Sequence, residues 1–375
     1  MRIGIDARML GPGFGLARYV QQLVIHLEQQ ATTHEYVLFM RQDNWDEFIP
    51  TSSQYTKVLA DIPWYSLEEQ VAFSSIIKQH HLDLMHFPHW NVPYMYTDPY
   101  IVTIHDLTMF HFPRPEATTK GKVEFFLKDQ AHRALLKRIV KKAQHIITAS
   151  EWTKQDMHRA LAAPLERMTT IYQAPFTVSD PQIFSPRTHQ ITQPYVLYVG
   201  AAYPHKNLDC LVAAWAQYVE KHGQTHQLVL AGKRNYFYDR LLALCEERYG
   251  DIGIRAIGFV PDNQLASLYK QAALFVYPSL YEGFGLPPLE AMQQGTPVIA
   301  AQSSCLPEVL GEGVYYVDPS SSTHMADAIS RVLQDEELQF QLKQQGRAEV
   351  TKYSWESLAR QTVQLYTRYS APLKK

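Results

Sequence analysis

The sequence contains little that could tie it together covalently. Its 375 residues hold three cysteines, Cys210, Cys245 and Cys305. Their spacing fits neither a metal-ligand pattern nor a disulfide framework, so buried thiols in a reducing, cytoplasmic setting are expected. It also lacks an excess of charge of either sign: 35 Lys and Arg stand against 37 Asp and Glu, a formal net charge of −2. A globally basic nucleic-acid binder is thereby excluded, and no nucleic-acid partner is expected. No run of 18 apolar residues occurs, so no spanning helix is expected. The opening Met1-Arg-Ile-Gly-Ile-Asp-Ala-Arg-Met9 lacks the apolar segment of a signal peptide and reads as a strand. A third glycine is missing too. Gly11-x-Gly13 is followed by Leu16, and Gly13-x-Gly15 by Arg18, where a dinucleotide fingerprint needs glycine. That disfavours an NAD-type dehydrogenase, although a glycine turn does sit between a first strand and a first helix.

The richest stretch is Tyr277 to Ala301, YPSLYEGFGLPPLEAMQQGTPVIAA. Leu274 to Tyr277 is a short apolar run suited to a buried parallel strand. Pro278 stops it, and Gly283 and Gly285 allow unusual backbone angles and close approach of a ligand. Pro287 and Pro288 sit where a helix would start. Gly295 ends that helix, and Pro297-Val-Ile-Ala is the next strand. A glycine loop feeding a helix N-terminus is a ready anion site. Two carboxylates, Glu282 and Glu290, bracket it. A carboxylate beside phosphate is repulsive unless it serves a hydroxyl, so the ligand that fits is a phosphate flanked by polyols, as in a nucleotide sugar. An acidic helix start that merely complements the dipole is the blander alternative.

This stretch resembles the E-x7-E signature of retaining glycosyltransferase family 4, here Glu282-Gly-Phe-Gly-Leu-Pro-Pro-Leu-Glu290. The resemblance is strongest over Tyr195 to Pro319 and extends to GIDARM, ARYV, TIHDL and ITASEWTK. It implies an α/β GT-B architecture, two Rossmann-like domains with parallel sheets facing across a cleft. It also implies a retaining hexosyltransferase with no cofactor beyond its nucleotide-sugar substrate. By resemblance, Glu290 holds the ribose, Glu282 the transferred sugar, and the amides of Gly283, Phe284, Gly285 and Leu286 the phosphate and sugar. The Gly15-Leu-Ala-Arg-Tyr19 turn faces the diphosphate. His105 of Thr103-Ile-His-Asp-Leu107 reaches the transferred sugar, while Asp106 orients it or caps the next turn. Lys206 of His205-Lys-Asn207 meets the leaving phosphate. An arginine that many relatives carry beside this lysine is absent, and Ala201 stands where some carry another. No Asp-x-Asp motif occurs, so a metal-clamped diphosphate is not expected. The pattern most resembles bacterial mannosyltransferases of surface polysaccharides, which implies GDP-mannose as donor and a glycan or lipid-linked acceptor. UDP- and dTDP-sugar enzymes share these motifs, and a non-catalytic nucleotide-sugar-binding protein is a further alternative.

The remaining signals are local. Lys233, after the strand Gln227 to Ala231, is placed on the crevice side and reads as donor-binding. Phe259 and Val260 lie where a base could stack. His89 and Trp90 follow the strand Leu82 to Phe87 and are candidates for an acceptor pocket. His86 and His89 are poor zinc ligands, because Pro88 intervenes and no further ligand lies at helical spacing. Leu67 to Gln79 reads as a helix with apolar residues at Leu67, Val71, Ile76 and Ile77. Residues 117–142 are helical and rich in Lys and Arg. They read as a solvated helix pair or as a basic surface for peripheral contact with an anionic membrane, on its inner face. The expected organisation is an acceptor-side domain at 1–175, a linker at 176–194, a donor domain at 195–354 and a last helix at 355–375 crossing back.

Overall fold

The computed structural model describes residues 1–13, 15–114, 122–177 and 180–369. Phe14 of the glycine turn, residues 117–121 of the basic region and residues 178–179 of the expected linker lie outside them. The chain forms two compact units, Met1–Gln173 with Ser354–Lys375, and Ala174–Tyr353.

In the first unit the elements run β1 (Arg2–Asp6), α1 (Gly15–Glu28), β2 (Glu35–Met40), β3 (Tyr55–Leu59), a π-helical turn Glu69–Phe73 leading into α2 (Ser74–Lys78), β4 (Leu84–Phe87), β5 (Tyr100–Ile104), α3 (Thr108–His111), α4 (Lys122–Lys142), β6 (His145–Thr148), α5 (Glu151–Leu161) and β7 (Met168–Thr170). The sheet order is β3-β2-β1-β4-β5-β6-β7, and the strands pair in parallel. The inner strands β1, β2, β4, β5 and β6 are largely buried and mostly apolar, as parallel sheets require, whereas the edge strands β3 and β7 are mixed and partly exposed. α1 lays Val20, Leu23, Val24 and Leu27 into the core, each at most 1 % exposed. Each such side chain contributes roughly 1.5–3 kcal/mol by burial. Ser150 caps α5, accepting the Thr153 N–H at 3.1 Å.

The second unit runs β8 (Tyr195–Val199), α6 (Leu208–His222), β9 (Gln227–Ala231), α7 (Tyr236–Tyr249), β10 (Ile254–Gly258), α8 (Asp262–Gln271), β11 (Leu274–Tyr277), α9 (Leu286–Gln293), β12 (Val298–Ala301), α10 (Leu306–Leu310), β13 (Tyr315–Val317), α11 (Ser322–Gln334) and α12 (Glu336–Val350). Its parallel sheet has the order β10-β9-β8-β11-β12-β13. α13 (Trp355–Tyr369) returns to the first unit. There it buries Trp355, Leu358, Ala359, Thr362, Leu365 and Tyr366, while Val363 is only half-buried. Two tyrosines anchor it to buried imidazoles: Tyr366 Oη lies 2.7 Å from His86 Nδ1 and Tyr369 Oη 2.8 Å from His145 Nδ1.

The stretch 180–194 packs within the second unit: Phe184 and Ile191 are buried, the Gln182 N–H donates to Asn263 O, and the Phe184 N–H to Ser267 Oγ. In the 67–79 segment, apolar character and burial do not coincide. Leu67 and Val71 are exposed, and Glu69, Phe73, Ser74 and Ile77 are buried. The cause is Arg8, which draws Glu69 into the core. His86 and His89 share no site, since His86 is enclosed between Tyr366 and Thr103.

Candidate active site

In an open parallel α/β sheet, ligands bind outside the carboxyl ends of the strands where the order reverses. In the second unit that point lies between β8 and β11, and the segments that leave these two strands carry the E-x7-E glutamates and Lys206. Lys206 ends a short turn, Pro204–Lys206, ahead of α6. Its ammonium donates to Glu282 Oε1 at 2.6 Å and to Tyr277 Oη at 3.3 Å. The pair is largely enclosed, with side-chain exposures of 16 % and 12 %. Burial pushes the Glu282 carboxyl up, but the charges of Lys206 and His205 and the hydrogen bond from Lys206 outweigh it, so its pKa lies below the ordinary carboxylate value. Glu282 is therefore ionised at neutral pH and acts as an acceptor for hydrogen bonds.

The loop around this pair is stitched from several directions. Asn207, at φ +61°, donates from Nδ2 to Pro278 O and Pro319 O. The Glu282 N–H donates to Ser304 Oγ at 2.9 Å, and Ser303 Oγ to Ser279 O at 2.6 Å. Ser304 itself sits at φ +47°, a left-handed conformation that costs a non-glycine residue about 1–3 kcal/mol. Gly285 takes φ +95° as the residue before α9, and a Cβ there would lie 2.8 Å from Leu306 Cδ2. Pro287 and Pro288 carry no N–H, so Leu286 and Leu289 supply the amide donors among the first four residues of α9. Phe284 is a core residue whose ring meets Tyr353 edge-on at 5.4 Å. Glu290 is 6 % exposed, and its Oε2 accepts the Tyr269 hydroxyl at 2.9 Å. Lys233 lies just past the carboxyl end of β9 and is exposed. Phe259 is exposed and Val260 buried.

In the first unit the order reverses between β1 and β4. The segment after β1 holds Arg8 and leads to Gly15, which opens α1. The segment after β4 holds His89, Trp90 and Asn91. His105 follows the neighbouring β5. Its Nε2 lies 2.9 Å from Pro88 O and its Nδ1 3.0 Å from Gln173 Nε2. A carbonyl only accepts, so Nε2 carries the proton and Nδ1 accepts from Gln173. Burial lowers the His105 pKa against the opposing pull of Pro88 O and Asp106. With both nitrogens engaged, His105 is a neutral donor and acceptor rather than a poised base. Asp106 caps the next turn: its Oδ1 accepts the Thr108 N–H at 2.7 Å. His89 Nε2 meets Tyr65 Oη at 2.8 Å, and Trp90 stacks on Tyr65 with centroids 5.0 Å apart.

Beneath them lies a buried charge cluster. Arg8, 1 % exposed, donates from Nε and Nη2 to Asp6 at 2.8 and 2.7 Å and from Nη2 to Glu69 Oε1 at 2.6 Å. Asn91 Nδ2 also donates to Glu69 Oε1, and the Tyr65 N–H to Glu69 Oε2. Burial raises the Glu69 pKa, and Arg8 and Asn91 oppose it. Asp6, Arg8, Glu69 and Tyr65 escaped the sequence reading, as did Tyr269, Gln173 and Ser304. The one available signal was a charged Asp-Ala-Arg directly after an apolar strand.

Comparison with known proteins agrees with this geometry. The family model for glycosyl transferases group 1 matches residues 180–349, and that for glycosyltransferase family 4 matches residues 15–174. The chain is 32 % identical to O-antigen chain mannosyltransferase B of Escherichia coli, over 76 % of this chain and 74 % of that protein. It is 27 % identical to the O-antigen chain mannosyltransferase RfbU of Salmonella typhimurium, over 76 % and 75 %. Among solved structures, a sucrose-phosphate synthase of Thermosynechococcus elongatus aligns with TM-score 0.77 at 23 % identity, over 98 % of each chain. WaaG, a glycosyltransferase involved in lipopolysaccharide biosynthesis, aligns with TM-score 0.73 at 14 % identity, over 98 % of this chain and all of that one. These two likenesses are of fold: two Rossmann-like domains of the GT-B type.

Proposed function

The chain belongs to the family 4, group 1 glycosyltransferases, and from that premise we propose that it moves mannose from GDP-mannose, with retention of configuration, to a glycan or lipid-linked acceptor in surface polysaccharide synthesis. The observation that carries this reading is the Lys206–Glu282 pair at the switch point of the second sheet, one hydrogen bond across, with the buried carboxylate of Glu290 on the adjoining α9. The O-antigen relatives favour mannose; a UDP- or dTDP-sugar donor is the alternative within the same fold.

In this reading the diphosphate takes the Lys206 ammonium, with the Leu286 amide and the dipole of α9 adding to it and Lys233 at the rim. Charge developing on the leaving phosphate is met by donors already in place. Glu282, released from Lys206, accepts hydroxyls of the transferred sugar, and Glu290 holds the ribose. Each carboxylate–hydroxyl bond contributes roughly 1.5–3 kcal/mol. The leaving phosphate oxygen takes the acceptor proton on the front face, so no protein nucleophile and no metal ion are assigned. Within the first unit, His105 is able to take a sugar hydroxyl by exchanging its Gln173 hydrogen bond, and His89 and Trp90 border the acceptor.

Among the described residues no helix is long and apolar enough to cross a membrane. α4 exposes Lys128, Lys137, Lys141 and Lys142 together with Phe126 and Leu127. This surface docks peripherally on anionic lipid at the cytoplasmic face. Flotation with phosphatidylglycerol vesicles tests it, and absence of association removes it. The transferase reading is tested by incubation with GDP-mannose and EDTA. Release of GDP, with an α-mannosyl product where acceptor extract is added, is expected. Nucleotide binding without turnover would leave a non-catalytic nucleotide-sugar-binding protein, and absence of both would contradict the transferase reading.

A further inference from the structure

The switch point of the first sheet carries a second set of groups, which the donor chemistry does not use. Tyr65 holds the left-handed conformation at φ +61°, although its side chain is 54 % exposed. A non-glycine residue keeps such a conformation only where its surroundings fix it, and such residues gather at functional sites. Here one group fixes it: Glu69, 1 % exposed, accepts the Tyr65 N–H at 2.8 Å while ion-paired to the buried Arg8. Glu69 also opens the π-helical turn Glu69–Phe73, a local irregularity common at functional sites. The ring thus placed stacks on Trp90 and hydrogen-bonds His89. His132 adds a further ring, 4.4 Å from Trp90. Nδ1 of His89 is enclosed and has no hydrogen-bond partner.

We propose that Tyr65, Trp90 and His89 form a stacking subsite for one pyranose ring of a glycan acceptor, and that Glu69 is the residue that positions it. This deepens, and rests on, the transferase reading above. A pyranose presents an apolar C–H face and a rim of hydroxyls; the outer face of the exposed Tyr65 ring, backed by Trp90, takes the first, and the Tyr65 hydroxyl, held by His89, takes the second. The surroundings select against an anion. Desolvation raises the Tyr65 hydroxyl pKa, and the carboxylates of Glu69, Asp106 and Asp6 raise it further. Burial, with His105 and His132, holds His89 well below its ordinary value, so it is neutral. A neutral polyol fits this field and a phosphate does not. The subsite lies at the same sheet edge as His105, whose ring centroid is 6.2 Å from that of His89.

The test is saturation-transfer NMR of the full chain with the methyl α-glycosides of mannose, glucose, galactose, N-acetylglucosamine and rhamnose as probes. At least one should receive saturation, strongest on its ring C–H protons. Tyr65→Gly removes the ring and relaxes the left-handed backbone, so it should fold and lose the transfer at least tenfold. Glu69→Gln should weaken it about fivefold per folded molecule. A purely structural Glu69 would instead lower the melting temperature and leave binding per folded molecule unchanged. No transfer to any probe in the wild type, or equal transfer in Tyr65→Gly, overturns the proposal. GDP titration of the same samples separates the two readings. Glycoside binding without nucleotide binding contradicts the donor assignment alone, and nucleotide binding without glycoside binding contradicts this subsite alone.

Discussion

The two switch points are built on the same topology and solved with opposite chemistry. At β8/β11 the groups are charged and paired: Lys206 with Glu282, and Glu290 held by Tyr269. At β1/β4 the charges lie underneath, in Asp6, Arg8 and Glu69, while the outer layer is neutral: His89, Trp90, Tyr65 and His105. A parallel sheet offers each unit the same crevice. Whether that crevice takes a diphosphate or a polyol depends on whether the ions face outward or are folded into the floor.

The largest effect expected is on the charged side. Glu282→Ala should lower turnover by roughly 10²–10³-fold, yet bind GDP at least as tightly as the wild type, because Lys206 loses its internal competitor. Lys206→Ala should do the reverse to binding, weakening GDP about 10- to 100-fold. It should also cost about 1–3 kcal/mol of stability by leaving Glu282 unpaired. Titration and melting of both variants check this; weaker GDP binding in Glu282→Ala would dissolve the competition.

Acid separates the two units next. His86 is held at about 3 and His145 at about 4 by burial, against an ordinary 6.5. Both are neutral in the folded state, so the unfolded state takes up their protons first. Stability is complete above pH 6.5 and falls as pH drops toward those lower values. At pH 5 the two together cost roughly 4 kcal/mol. Glu282 behaves differently: its folded pKa is depressed, so its contribution persists above the ordinary 4.5 and is lost only below it. Both histidines anchor α13, so hydrogen exchange at pH 5 should show α13 and the first sheet opening before the second unit. Simultaneous opening would contradict that order.

Smaller effects sharpen the loop geometry. Gly285→Ala meets both φ +95° and the 2.8 Å approach to Leu306, and should cost about 1–3 kcal/mol in thermal melts. Ser304→Gly removes the hydroxyl that accepts the Glu282 N–H but relieves φ +47°. The two nearly cancel, and the stability change should stay within about 1 kcal/mol.

Much of the architecture was legible in the sequence. The first strand at the N-terminus, the helix after the glycine turn and the strand–loop–helix–strand of residues 274–301 all stand where pattern and turn chemistry place them. β3 and β7 were not legible: Tyr-Thr-Lys-Val-Leu mixes polar with apolar, and Met-Thr-Thr is too short for periodicity to speak. The buried face of the 67–79 segment was not legible, because its apolar residues include the exposed Leu67 and Val71. A buried Arg8, 61 residues away, outweighed that apolar pattern by claiming Glu69. For the same reason the charged cluster at β8/β11 was legible and the neutral cluster was only partly so. Glu282, Glu290 and Lys206 lie in compact motifs, whereas Tyr65, His89 and Glu69 meet only through folding. His105 was found by motif, but its engagement with Gln173 and Pro88 was not visible in the chain.

The most direct test of the account is calorimetric titration of the protein with GDP, UDP, dTDP and NAD, each with and without EDTA. GDP binding that EDTA leaves unchanged and that Lys206→Ala weakens is the predicted result. Binding of none of the nucleoside diphosphates, or of NAD alone, would contradict it.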